Sequence, residues 1–399
     1  MEMKKKATIV DVAKEAGVSV ATVSRVVNGN YPVKPETRER VQSAINALQY
    51  VPNVQARELN TRHSSTIGVV VPGLYNMFFA EVIDGIEKSM RRQGYSLLLN
   101  CAQNDPELEM ECINALVSRS VSGIIVISPN TEGLREEFYR RIVKRVPLVF
   151  INGYHRIPNV SYVANDEALG TRQALEYLTG LGHKHILFVR GENSDSYTVK
   201  ERAYRAFMAE QGLFNEKDIV DIGEGNNIDT VTSARIKLMK VMPELAPTAV
   251  FCCNDLMATG AIRACKRLGL RVPQDVSVVG FDNITLSKLV DPQITTMDQN
   301  MFQLGSNAAA VLVEMIHGGQ SKRITLENIL ITRESTGPCK TEADRSSPLH
   351  KRRGAFLSAN IEGSDGDEGT ALIWYNGVDA LEHSTRLTLT FRLTSWRFL

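Results

Sequence analysis

Apolar positions recur at intervals of three and four over residues 7–50, and from Thr66 onward they gather into short unbroken runs. In TIVDVAKEA, Ile9, Val12, Ala13 and Ala16 form a helical stripe, Thr8 stands as N-cap with Asp11 at the third helical position, and Gly17 breaks the run. A second helix is predicted from Ser19, a natural cap, and a third from Pro35, with Val41, Ile45 and Leu48 on one face and Pro52 beyond its end. After Thr66 come TIGVVVP, YSLLLN, GIIVIS and VPLVFIN, separated by helical stretches near 78–93, 106–119 and 134–144. The alternation then repeats with helices over 167–181, 199–212 and 256–268 around HILFVRG, TAVFCCN and VSVVGF. Strands alternating with helices make parallel sheets covered on both faces, so an α/β body of two doubly wound lobes is expected.

The second helix poses a question, because GVSVATVSRVVNG mixes valines with polar residues. On a helical wheel Val23, Val26 and Val27, with Val20 at the margin, share one arc. Ala21, Ser24, Arg25 and Asn28 take the other, with Thr22 at its edge. Small residues near the helix start permit close approach to a DNA major groove. An arginine one turn on can reach guanine O6 and N7 with two hydrogen bonds. Thr22, Ser24 and Asn28 are suited to phosphate oxygens, joined by the free N–H groups of the first turn. The plain alternative is an amphipathic surface helix with a solvated polar face.

Composition and charge narrow the classes. With 399 residues, 43% hydrophobic and 23% charged, the chain is long enough for two or three globular domains. A formal charge of +1 excludes a grossly basic coat protein but leaves room for a local basic face. The basic opening MEMKKKATIV is followed by no signal-like apolar run, and no stretch of about 18 apolar residues occurs, so a cytoplasmic protein without membrane contact is expected. Six cysteines show neither CxxC nor a matching histidine spacing, and reduced thiols follow. GxSxG, P-loop and HExxH patterns are lacking, His183 reads as a turn residue, and neither enzymatic activity, cofactor nor metal is expected.

TIVDVAKEAGVSVATVSRVVNG and VKPETRERVQSAINALQYVPNVQAREL resemble the lactose-repressor/galactose-repressor (LacI/GalR) family of bacterial transcription regulators. The resemblance continues through IGVVVPGLYNMFFAEVIDGIE, LGHKHILFVRG, FCCNDLMATGAI, VPQDVSVVGFDN and ITRES, spanning roughly residues 7–337. It implies a helix-turn-helix head at 1–51, a hinge helix within 52–64 and a bilobal, periplasmic-binding-protein-like body at 65–337. The lobes are expected at about 65–163 plus 294–324 and 164–293 plus 325–337, leaving 338–399 as an atypical tail. It further implies base reading by Val20, Ala21 and Arg25, and phosphate contacts from Thr8, Thr22, Ser24 and Asn28. The Val20–Ala21 pair resembles the galactose-repressor and catabolite-control branches. Lys34 departs from the serine cap of many members.

PNVQARELNTR is too short to hold a helix alone, since isolated helices below about 12 residues are marginal in water. In similar proteins two such segments pair in the minor groove of the operator, with Leu59 matching the wedged leucine and Ala56 permitting close approach. For the effector, Asn254 and Asp282 at strand ends offer an amide and a carboxylate suited to hydroxyls, and Phe78 or Phe79 an apolar wall. Asn76, Asp166 and Gln299 match the pocket region, and Lys200 stands where the family has a ligand-binding arginine. Lysine is a point charge rather than a fork, which puts bidentate binding in question. Helix capping is the plain alternative for Asn254 and, more strongly, for Asp255. The implied partners are an operator duplex, a small effector expected to be a carbohydrate, and a second copy of the chain, with a tetramer left open. A catabolite-control regulator with a phosphorylated carrier protein as corepressor is the second reading. A sugar-binding protein without a DNA role is the third, which residues 7–62 oppose.

Overall fold

The computed structural model describes residues 7–28, 31–51, 64–129, 135–340, 355–362 and 368–375. Its first helix, α1 (Ile9–Ala16), starts in a reciprocal cap: the Thr8 hydroxyl accepts from Asp11 N, and the Asp11 carboxylate accepts from Thr8 N at 2.8 Å. Gly17 ends it in the left-handed conformation, φ 63°, which costs a residue without Cβ little. Ser19 opens α2 (Val20–Asn28) by accepting from Thr22 N at 3.2 Å. Lys34 makes no side-chain cap for α3 (Pro35–Ala47), whose first residue is proline. Val12, Ala13, Ala16, Val23, Val26, Val41 and Ala44 form the core of this small head, with Ile45, Leu48 and Tyr50 at its margin.

Chain contacts divide the molecule into two compact units, one of residues up to Glu167 with Asn193–Thr198 and Gln299–Asn328, the other of Ala168–Glu192, Val199–Asp298 and the chain from Ile329. Besides the head, the first unit holds a six-stranded sheet of β1 (Thr66–Val71), β2 (Ser96–Cys101), β3 (Gly123–Ile127), β4 (Leu148–Ile151), β5 (Ser161–Asn165) and β11 (Arg323–Leu326). Every neighbouring pair is parallel, in the order β11-β5-β4-β3-β1-β2. Its helices are α4 (Met77–Arg92), α5 (Pro106–Ser118), α6 (Arg135–Ile142) and α12 (Met301–Ile316).

The second unit repeats this winding with β6 (Ile186–Glu192), β7 (Ile219–Glu224), β8 (Ala249–Cys252), β9 (Ser277–Asp282), β10 (Thr295–Asp298) and β12 (Ile329–Ile331). The order is β12-β10-β9-β8-β6-β7, and β12 alone among these strands is antiparallel to its neighbour. Helices α7 (Glu167–Gly180), α8 (Asp195–Glu210), α9 (Thr230–Leu245), α10 (Asp255–Arg267) and the short α11 (Leu286–Leu289) complete the series. Both sheets therefore carry the 2-1-3-4-5 order of doubly wound folds, whose ligands gather at the carboxyl ends of the strands.

Strand pairing moves three expected boundaries. Residues 294–298 fall in the second unit rather than the first, because Thr296 pairs with Gly280 of β9 and both Thr295 and Thr296 are fully buried. Pairing of β5 with β11 as far as Asn165 and Leu326 keeps 164–165 and 325–326 in the first unit. Helix α8 starts at Asp195 instead of 199, and β5, β7, β10, α9, α11, α12 and the sheet-edge strands β11 and β12 escaped the periodicity reading. The chain stays attached past 337: Cys339 N donates to Leu181 O at 2.8 Å and Lys340 Nζ lies 3.0 Å from Asp275. Farther on, β13 (Ala355–Glu362) and β14 (Glu368–Tyr375) pair as an antiparallel ribbon. Ala56 and Leu59 lie outside the described residues.

Candidate functional site

Helix α2 presents two unlike faces. Val23 is fully buried and Val26 nearly so, whereas Val20 is 41% exposed and Ala21 and Arg25 are exposed. The three candidate base-reading positions thus stand outward on one helix whose valine face fixes it to α1 and α3. Half-buried Thr22 belongs to the cap, its hydroxyl 2.9 Å from Ser19 Oγ, and half-buried Ser24 follows it. Asn28 closes the helix. Thr8, at the start of α1, donates its hydroxyl to Asp11 at 2.7 Å, so Thr8 and Thr22 both hold helix starts. Sequence reasoning missed Tyr31, whose ring centroid lies 5.5 Å from the Arg25 guanidinium carbon. A guanidinium over an aromatic face keeps its fork aimed while its N–H edge stays open. The signal was an aromatic side chain in the turn after α2.

At the carboxyl edge of the second sheet the polar candidates are engaged by the fold itself. Asn254 caps α10 by accepting from Met257 N at 2.9 Å, and its amide donates to Gly225 O at 2.8 Å. The cap is therefore Asn254, not Asp255. Asp255 is fully buried and ties two neighbouring segments, accepting from the Thr296 hydroxyl at 2.6 Å and from Ile284 N at 2.9 Å. Its carboxylate lies so close to β9 that a Cβ on Gly280 would sit 2.2 Å from Oδ1. Burial, and next the Asp282 carboxylate, push the Asp255 carboxyl well above the usual range against the pull of these hydrogen bonds and of Arg333.

Asp282 ends β9, is 3% exposed and has a φ of 112°, followed by Asn283 at 64°. Such backbone costs on the order of 1–3 kcal/mol and persists only where surrounding contacts hold it, as Asp255 does through Ile284. Arg333 donates to Ile294 O at 2.7 Å, to Ser287 at 3.0 Å and to the Asn283 side chain. Burial lowers its pKa against the attraction of Asp255 and Asp298. Lys200 is also buried, donating to Cys253 O at 3.2 Å with its ammonium 4.0 Å from the Phe281 ring centroid. The structure thus gathers Lys200, Asn254 and Asp282 around the ends of β8 and β9. Asp255 and Arg333 were missed as members, although both lie in stretches the sequence marks, FCCND and ITRES.

The remaining candidates lie in the first unit. Asn76 caps α4 by accepting from Phe78 N at 3.0 Å, and Phe78 and Phe79 are buried edge to face, 5.4 Å between centroids. The expected apolar wall is core in this conformation. Gln299 is buried and Asp166 exposed, the latter held by its backbone, which accepts from the Asn328 amide at 2.7 Å. Next to it, buried Glu167 accepts from Ser196 at 2.8 Å and from the Tyr154 hydroxyl. Burial, then the Glu167 charge, raise the Tyr154 pKa well above its usual value. Among the described residues no helix is long and apolar enough to cross a membrane.

A helix-turn-helix head on two doubly wound units defines a DNA-binding regulator with a ligand-binding body. The lacI family of bacterial regulatory proteins matches residues 8–53, and the periplasmic binding protein-like domain matches 175–336. Catabolite control protein A of Priestia megaterium is 36% identical over 313 residues, covering 78% of this chain and 92% of that protein. The HTH-type transcriptional repressor PurR of Vibrio campbellii (strain ATCC BAA-1116) is 37% identical over 325 residues, 80% of this chain and 95% of the relative. The lac repressor dimer bound to operator and the anti-inducer ONPF superposes with a TM-score of 0.74 at 28% identity, covering 84% of this chain and all of that one. The chain belongs to the lacI family of bacterial regulatory proteins. It is a DNA-binding transcriptional regulator built as a repressor with an effector-binding domain.

Proposed function

We propose that the chain represses transcription as a homodimer on a pseudo-palindromic operator, in the cytoplasm, and that a carbohydrate effector in the α/β body sets its affinity for DNA. The observation that carries the DNA reading is the single exposed row of Val20, Ala21 and Arg25 on a helix whose other face is core. Val20, Ala21 and Arg25 read base edges, and Thr8, Thr22, Ser24 and Asn28 meet phosphates. Ala56 and Leu59 of the hinge enter the minor groove, and the segment orders on DNA. In the body, Asp282 and Lys200 of the second unit and Gln299 of the first are the polar groups that recognise hydroxyls, with Asn254 in the second unit and Asn76, Asp166, Phe78 and Phe79 in the first shaping the backbone of their own units. The chain acts by binding and carries out no catalysis.

The test is recovery of a preferred palindromic duplex from a random pool, followed by its affinity across salt and against a panel of monosaccharides and disaccharides. Specific binding that falls with salt and shifts with one sugar supports the reading. A specific duplex whose affinity no sugar alters removes the carbohydrate and keeps the operator. A second reading, catabolite control with a phosphorylated carrier protein as corepressor, is favoured by the likeness to catabolite control protein A and by lysine at position 200. Carrier-dependent tightening on the same duplex distinguishes it.

A further inference from the structure

A cavity of about 590 Å³ opens in the first unit at the amino-terminal ends of its parallel strands. Lys144 and Arg145 line it just before β4, with Asn159 before β5 and Gln320 and Ser321 before β11. Both cations are exposed, and none of the lining residues is acidic. Glu314, beside the lining Met315, is already held by Lys322. Exposed Arg141 and Arg323 extend the basic edge. Two cations with neutral amide and hydroxyl donors suit a phosphate group, whose oxygens accept from all three kinds.

Topology gives this edge its partner. The strands are parallel, so the ends where β4, β5 and β11 begin share the edge where β1 begins at Thr66, the first strand after the segment from the head. We propose that Lys144 and Arg145 form a second contact for operator DNA, gripping the phosphodiester backbone that flanks the sequence read by α2. The proposal rests on the head reading an operator. It adds affinity without sequence preference, because phosphate contacts carry no base information.

The full chain is tested on a duplex it selects from a random pool, in two lengths: one ending at the edge of the palindrome, the other longer by one helical turn on each side. The longer duplex is expected to bind more tightly and with a steeper decline in salt. In the double variant K144Q/R145Q that difference disappears, the salt slope falling by about 0.9 for each phosphate contact withdrawn, while the short duplex binds as before. K144R/R145K, which keeps both charges, restores the difference. Equal slopes for the two lengths with the unaltered protein overturn the proposal, as does a difference that survives K144Q/R145Q. Inorganic phosphate that binds the cavity without competing against the longer duplex makes it a small-anion site and overturns the proposal too. A protein that selects no duplex at all overturns the DNA reading itself, a result distinct from each of these.

Discussion

Helix α2 and the carboxyl edge of the second sheet are both rich in polar side chains, yet they use them in opposite ways. On α2 the fold needs the valines, so Ala21 and Arg25 are left outward for something other than the protein. At the sheet edge Asn254, Asp255 and Arg333 close caps and tie strands, and the fold needs them before any ligand arrives. A polar residue at a strand end thus indicates a site only after its structural engagements are counted. Asp282 stands apart in this second region, since its positive φ is a strain that neighbouring residues maintain.

The largest expected effect lies in that engaged region. Asp255→Ala strips the buried partners of Ile284 N and the Thr296 hydroxyl, and each orphaned group costs about 1–3 kcal/mol. A loss of about 3 kcal/mol or more in urea unfolding is expected, with release of the Asp282 backbone. Asp255 also fixes a pH dependence. Its folded pKa is raised by burial and by Asp282, so the stability it contributes is full below the ordinary value of 3.8 and declines as pH rises toward the folded value. Relative to Asp255→Asn, the unaltered protein should therefore lose stability as pH increases from about 4. A difference that grows with pH instead would mean the carboxylate is stabilised charged, and the distinction between the regions would fail.

On α2 the effect is smaller and appears in binding. Arg25→Ala should cost about 1–3 kcal/mol on the selected operator and far less on scrambled duplex, because a two-bond guanine contact discriminates between bases. Thermal stability should hold, since Arg25 is exposed and packs over exposed Tyr31. Tyr31→Ala sharpens the point: if the ring merely aims the guanidinium, operator affinity falls by less than in Arg25→Ala. Equal losses on operator and scrambled duplex would reduce α2 to a phosphate-binding surface.

The difference between the regions also explains what could be read in the sequence. The α2 assignment needed only local periodicity, and Val23 and Val26 follow the wheel because a three-helix head has room for one core. The βα alternation was visible wherever a strand is a nearly unbroken apolar run, as in Ile186–Val189 or Val278–Phe281, and lost at β7, where IVDIGE is half polar. Edge strands β11 and β12 were not, because RITL and ILI are short and partly exposed. Asp255 could not be separated from Asn254 by residue type, since both are helix starters and only the partners 29 and 41 positions away decide which one caps. Lys200 shows the same limit: its burial against Phe281 and Cys253 depends on long-range packing that no spacing reveals.

The smallest effect concerns a carboxylate of opposite character. Asp275 receives Arg271 in a two-bond pair and lies 3.0 Å from Lys340, and these contacts hold its pKa below the usual range, the Arg271 hydrogen bond first. Its contribution is present above 3.8 and lost as pH falls, the reverse of Asp255. Arg271 is 60% exposed, so solvent screens the group and the Lys340 contact is worth at most about 1 kcal/mol. Lys340→Met should accordingly lower stability slightly at neutral pH, with the loss shrinking as Asp275 protonates. A chain ending after Lys340 should keep its fold and its operator affinity, because this ion pair and the Cys339–Leu181 backbone bond remain, whereas one ending after Pro338 lacks both contacts and should fold and bind operator but melt slightly lower. Thermal unfolding of the two truncated chains at pH 7 and at low pH separates the contacts, since the backbone bond contributes at both and the ion pair only at the first. Equal melting of the two chains at pH 7 would show that the described contacts beyond Pro338 add nothing to the second unit.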